Sequence, residues 1–330
     1  MKPLLRSLIS FAFVQVCLTA HAQPQPGSLD VRWNEGAQDC TRNTQPPLQV
    51  HRYNASTYVL RQNPCATYEA PFMYLLVGSN RALLIDSGAV ADARVMPLAD
   101  TVMGLLPDVG GAKLALTVVH THSHRDHRTG DAQFQHRPGD TVAAVDLDGV
   151  RKFFGFTDWP NGTEQIDLGD RIVDVIPTPG HSDSHVSYYD RPTALLFTGD
   201  VLLPGRLIID DAAAALASAQ RLAAFASTHP ISHVLGGHIE LDVDGNTLPM
   251  GSTWHPRERA LPLGRQDVLD LPATVARFNG IYSRHGVYVM YNQSRVLMAV
   301  GAAVLLVLIG LIALLVRIVR RYRSARRRAQ

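Results

Sequence analysis

Cysteine is scarce in this chain: 3 in 330 residues. One of these, Cys17, falls in an apolar N-terminal stretch, which leaves Cys40 and Cys65. That excludes a disulfide-dense scaffold. Neither remaining cysteine lies in a metal-binding motif, so any metal site here must be built from other side chains. Acidic residues are missing from both ends. Residues 1–22 and residues from Val296 onward contain none, and 296–316 carries no charge of either sign. The formal net charge of +2 therefore hides an asymmetry, because the two ends together hold nine basic residues and residues 23–295 carry −7. An acidic central segment disfavours a polyanionic substrate, and no nucleic-acid partner is expected. No internal repeat is visible, which sets aside solenoids and propellers.

What the ends do contain is informative. Lys2 and Arg6, a short apolar core over 8–19 and the A-x-A triplet Ala20-His21-Ala22 read as a secretory signal. Cys17 follows Val16 where a lipoprotein cut would need a small residue. At the other end, 296–316 has the length a bilayer requires. Seven arginines follow it (317, 320, 321, 323, 326, 327 and 328), the mark of a segment held in the cytoplasm. The expected order is a signal peptide at 1–22, an irregular lead-in at 23–47, a catalytic domain at 48–290, a transmembrane helix at 296–316 and a basic tail at 317–330. This would be an inner-membrane protein with one span and its catalytic domain in the periplasm. In an exported chain Cys40 and Cys65 form a candidate disulfide.

Between the ends, apolar β-branched runs predict strands at 48–53, 57–61, 73–77, 82–85, 114–119, 141–145 and 172–176. A hairpin is expected from 186–189 and 194–197. Helices are expected at 91–106, at 211–227 behind Asp211, and at 266–279 with Pro272 interrupting it. Alternation of this kind over about 240 residues fits one α/β domain. The segment 240–262 is a long polar loop. Loops of that length usually carry function or disorder, and Trp254 and His255 are its candidate substrate contacts.

One segment concentrates chemistry: His120-Thr121-His122-Ser123-His124-Arg125-Asp126-His127 holds four imidazoles and a carboxylate in eight residues. These are ligand types that Zn²⁺ takes in catalytic sites. The segment sits where the strand at 114–119 runs out. On a strand, His122 and His124 would point the same way, and Asp126 and His127 would follow the turn. Three more strand ends carry a ligand type: Pro179-Gly180-His181, Thr198-Gly199-Asp200 and Gly236-Gly237-His238. Alone, each would be a loop or turn residue. Asp86, in Leu83-Leu84-Ile85-Asp86-Ser87-Gly88, could form a turn or orient a ligand. His185 could support a ligand or face the substrate. His120 reads as a packed strand residue. His136, His229, His233, His255 and His285 read as surface or packing residues.

In order and spacing, His122-x-His124-x-Asp126-His127, His181, Asp200, His238 and the Asp86 motif resemble the metallo-β-lactamase-fold hydrolases over roughly residues 48–290. The resemblance implies a four-layer αβ/βα sandwich with metals at one edge of the two sheets. It implies two Zn²⁺ ions per chain. His122, His124 and His181 would hold one, Asp126, His127 and His238 the other, with Asp200 bridging and Asp86 orienting an imidazole. A metal-bound hydroxide would attack the carbonyl of an ester, thioester, lactone or amide in a small-molecule substrate, with Asp126 orienting it. No serine or cysteine nucleophile is needed.

Other readings compete. The segments around His181 and Asp200 are similar to hydroxyacylglutathione hydrolases, but the glutathione-binding helical domain of that family has no visible counterpart. A β-lactamase fits the periplasm, yet those enzymes lack a bridging carboxylate like Asp200. The pattern His-x-His-x-Asp-His-x-Thr-Gly also resembles persulfide dioxygenases with one iron, which leave the second ligand set unused. A non-enzymatic zinc-binding membrane protein would require the full ligand set to be idle.

Overall fold

The computed structural model describes residues 23–135 and 139–328, without the side chains of Tyr322 and Arg326. The expected signal at 1–22 and His136 lie outside them.

Two sheets face each other. The first runs β1 (Leu48–Asn54), β2 (Thr57–Gln62), β3 (Phe72–Val77), β4 (Ala82–Ile85), β7 (Leu116–Val119) and β8 (Thr141–Val142) in spatial order. β1 to β4 form an antiparallel meander, and β7 joins β4 in parallel. Between them in sequence, β5 (Asp108–Val109) and β6 (Ala112–Lys113) form a small outlying hairpin. The second sheet runs β14 (His233–Gly236), β12 (Leu195–Gly199), β11 (Val186–Asp190), β10 (Ile172–Pro177) and β9 (Glu164–Asp167). A third sheet joins β13 (Arg206–Ile208) to the hairpin β15 (Tyr282–His285) and β16 (Tyr288–Tyr291).

Four layers follow from burial on both faces of each sheet. Along β4, Leu83 and Ile85 point inward to meet Val175, Tyr188 and Phe197 of the second sheet. Leu84 points outward to Leu98 and Val102 of α1 (Leu98–Leu105). On the far side, Ile176, Leu196 and Val234 meet Leu222 of α4 (Ala212–Thr228) and Val268 and Leu271 of α5 (Arg265–Ala276). Strands covered on both faces read as unbroken apolar runs, which is why they are visible in the sequence.

Some expectations shift. The helix expected at 91–106 begins only at Leu98. Pro97 drives the preceding residue out of the helical region, and residues 92–96 form a turn held by Asp92. The interruption expected at Pro272 does not occur, because that residue sits inside a continuous α5 packed through Leu271 and Val275. A short helix, α3 (Leu147–Phe154), capped by Asp146, is an addition to the expected elements. The lead-in is irregular, yet Trp33 is buried edge-to-face on Phe72 at 4.9 Å. Cys40 and Cys65 are disulfide-bonded, with Cα atoms 5.4 Å apart.

The described residues end in α6 (Gln293–Arg328), and α2 (Arg125–Arg128) is the remaining α-helix among them. By length and composition α6 can cross a membrane, and none of its apolar window is buried in the protein.

Candidate metal centre

Each ligand-type side chain stands at a strand end on one edge of the sandwich. β7 stops at Val119, so His122 and His124 lie in the loop beyond it, and strand alternation does not align them. Asp126 and His127 are carried by α2. His181 follows β10, Asp200 follows β12 and His238 follows β14. Because β12 and β14 are parallel neighbours, with Gly199 paired to Gly236, they deliver Asp200 and His238 side by side.

Two groups result. His122 Nε2, His124 Nδ1 and His181 Nε2 lie 3.0–3.2 Å from one another. Asp126 Oδ2 lies 3.2 Å from His127 Nε2 and 3.1 Å from His238 Nε2. Asp200 spans the groups. Its Oδ2 is 3.6 Å from His181 Nε2 and 3.9 Å from His122 Nε2. Its Oδ1 is 3.5 Å from His127 Nε2 and 3.7 Å from His238 Nε2.

The far ring nitrogens are anchored, which aims the near ones. His127 Nδ1 donates to Asp86 Oδ2 at 2.8 Å, His238 Nδ1 to the Glu69 carbonyl at 2.8 Å, and His181 Nδ1 to the Ile208 carbonyl at 3.0 Å. Such partners fix tautomer and orientation in metal sites. Asp86, at a φ of 66°, also accepts from the Thr121 backbone N–H at 2.7 Å. Thr121 gives no signal in the sequence; its hydroxyl touches Asp86, His122 and His127 together. His185 does not face the substrate side. It is fully buried, stacked on His122 at 5.0 Å, and bonded through Nδ1 to Thr178 Oγ1 and through Nε2 to the Asp200 N–H. His120 is buried with Nε2 on Asp131.

The donor set fits cations. Asp200 Oδ1 is buried and accepts no hydrogen bond. Gly237 leaves the space in front of it: a Cβ there would lie 2.5 Å from that oxygen and 2.8 Å from His127 Cε1. Burial acts to discharge His238, but Asp200 and Asp126 outweigh it and push the imidazole up to about 10. His127 rises likewise against burial, through Asp126, Asp86 and Asp200. Burial acts to raise Asp126 and Asp200 too, yet the facing imidazoles hold both well below the carboxylate range. In the first group, burial and the neighbouring rings push both His122 and His124 below the ordinary imidazole range. The cage thus demands positive charge, and once His127 and His238 give up their Nε2 protons all seven groups can offer a lone pair to the gap. Both groups could hold a metal ion.

The metallo-beta-lactamase superfamily model matches residues 67–257. The chain belongs to this superfamily. It is therefore an enzyme of the metallo-hydrolase class. This superfamily member is 28% identical over 202 residues to the acyl-coenzyme A thioesterase MBLAC2 of Gallus gallus, covering 51% of this chain and 72% of that one. It is 31% identical over 135 residues to a hydroxyacylglutathione hydrolase of Synechococcus sp., covering 41% of this chain and 50% of the relative's length. Among solved structures, a metallo-beta-lactamase from Hirschia baltica aligns at a TM-score of 0.48 with 14% identity, over 71% of this chain and 99% of that one.

The loop at 240–262 is placed differently from expectation in one respect. His255 lines a cleft beside the site and is held by Glu258 and the Ser252 carbonyl. Trp254 does not line it; its backbone bridges to Gly36 instead.

Proposed function

We propose that this superfamily member is a dinuclear zinc hydrolase of small acyl compounds, with thioesters the first class to test. The observation that carries the reading is Asp200, whose two oxygens face two separate ligand groups. His122, His124 and His181 would hold one ion and Asp126, His127 and His238 the other. When bound, such a pair supplies Lewis acidity and makes hydroxide available at neutral pH. The protein's part is positioning. Asp86, Glu69 and Ile208 fix three imidazoles from behind, and Asp200 sets the separation of the groups. Asp126 keeps a partly exposed carboxylate at the mouth, where it can orient the attacking water. His124 is the exposed ligand and marks the open face.

Thioesters are favoured within the ester, thioester, lactone and amide set by the names of the acyl-coenzyme A and acylglutathione relatives. The complete second ligand group disfavours a one-iron persulfide dioxygenase. We place the domain outside the cytoplasm on the inner membrane, with α6 as the span. The test is elemental analysis of the purified protein beside a panel of thioesters, lactones and β-lactams. Close to two zinc ions per chain and thioester cleavage are expected. One iron with persulfide oxidation would overturn the reading.

A further inference from the structure

The loop at 63–71, between β2 and β3, reaches the second ligand group through one bond. Its Glu69 carbonyl accepts from His238 Nδ1 at 2.8 Å, which turns Nε2 of that ring toward Asp126. The base of the loop is fixed. Asn63 is buried, its N–H donates to the Pro47 carbonyl at 2.8 Å, and its side-chain amide donates to the Pro46 carbonyl at 3.1 Å. The tip is less well held. Residues 65–69 are half-buried or exposed, and the N–H groups of Ala66 and Thr67 turn back on the Asn63 carbonyl. What carries the tip outward to another segment is covalent: the bond from Cys65 to Cys40.

The far end of that bond is firmly anchored. Cys40 opens a one-turn 3-10 helix capped by Asp39. The lead-in just before it is stitched to the loop at 240–262. The Ala37 N–H donates to the Thr253 carbonyl at 2.9 Å, Thr253 Oγ1 donates to the Ala37 carbonyl at 3.0 Å, and the His255 N–H donates to the Glu35 carbonyl at 2.7 Å. Glu258 of that loop pairs with His255 and with the buried guanidinium of Arg61 on β2. At Gly36 the three segments meet so closely that a Cβ would lie 2.1 Å from the Thr253 carbonyl oxygen and 2.7 Å from Pro64 Cβ. The disulfide therefore passes the rigidity of this clamp to the loop that carries Glu69. The first ligand group is supported from elsewhere, His181 by the Ile208 carbonyl of β13 and His122 by the Thr121 hydroxyl.

We propose that the Cys40–Cys65 bond positions His238, so that the second ligand group is complete only once the bond has formed. This rests on reading the centre as dinuclear. With the bond open, the tip of the loop moves, the Nδ1 acceptor is lost and the ring no longer holds one tautomer and direction. The first group keeps its ion. Closure is a thiol–disulfide exchange: the two cysteines give up two electrons and two protons to an external disulfide, whose own sulfur–sulfur bond opens to two thiols. In an exported chain such bonds form in the oxidising compartment, so loading of the second ion follows export.

The test uses the full chain in detergent, loaded with Zn²⁺ and titrated with a competing chelator. In Cys40→Ser/Cys65→Ser one ion should be held about 10–100-fold more weakly, the loss expected when a ligand's support goes, and the other should be unchanged. In a His238→Ala background the same pair of substitutions should add nothing. Reduction of the folded wild type by a water-soluble phosphine should reproduce the selective loss, and reoxidation by a small disulfide should reverse it. With Co²⁺ in place of zinc, one of two visible absorption components should fade and return with the bond. A bond that only stabilises the fold would lower the urea midpoint and leave both ions held as before. That result, or equal loss of both ions, would overturn the proposal. A single ion in the oxidised wild type would sink the dinuclear reading, and the proposal with it.

Discussion

Asp200 has a demanding position: a buried carboxylate with one oxygen lacking any hydrogen bond, between imidazoles on both sides. Asp200→Asn removes the charge while keeping the shape. Bound metal should fall to one ion per chain or fewer, measured by elemental analysis, and hydrolysis should be lost. Asp86→Ala acts one step further out, by releasing His127 Nδ1. A loss of about 10–100-fold in metal affinity is expected by competitive chelator titration; no change would mean that Asp86 only forms the turn. Gly237→Ala puts a methyl group within 2.5 Å of Asp200 Oδ1. It should weaken metal binding on the order of tenfold in the same titration.

At the scale of elements, the turn carrying His181 is tied to α4. The Asp211 N–H donates to the Gly180 carbonyl at 3.0 Å, and the Asp211 side chain caps α4 through the N–H groups of Ala213 and Ala214. Asp211→Ala removes the cap and keeps the backbone tie. Stability should drop by about 1 kcal/mol in urea unfolding, with metal content unchanged. A drop in metal content would show that the cap itself sets His181. The elements most legible in the sequence are those buried on both faces, such as β4 and β12. The hairpin β15–β16 is not legible, because along β15 exposed and half-buried residues alternate over only four positions. α3 escapes notice for its brevity.

For the whole molecule, the compartment turns on whether α6 spans a membrane. An apolar helix with none of its span covered by protein is costly in water. A reporter fused after Gln330 should be active only if it functions in the cytoplasm, and protease added to spheroplasts should remove the metal domain. Protection of that domain, or release of the protein by a salt wash, would show that 296–316 does not span. The Cys40–Cys65 bond closes a separation of 25 residues, and in the chain-entropy picture it contributes on the order of 3 kcal/mol.

The sequence by itself determined the donor types, their order and their places after apolar strands. It did so because imidazoles and carboxylates at four strand ends are chemically unusual and strands buried on both faces leave continuous apolar runs. It also marked the apolar end segment, since length and absence of charge need no fold to be read. Only the tertiary structure decided which donors share a group, because that depends on the parallel pairing of β12 with β14 and on the loop beyond β7. The supports from Thr121, Glu69 and Ile208 were likewise invisible, two of them being backbone carbonyls that any residue could supply. The cleft beside His238 is assembled from segments near residues 68, 206, 240, 250 and 291, far apart in the chain and adjacent only once the sheets have packed.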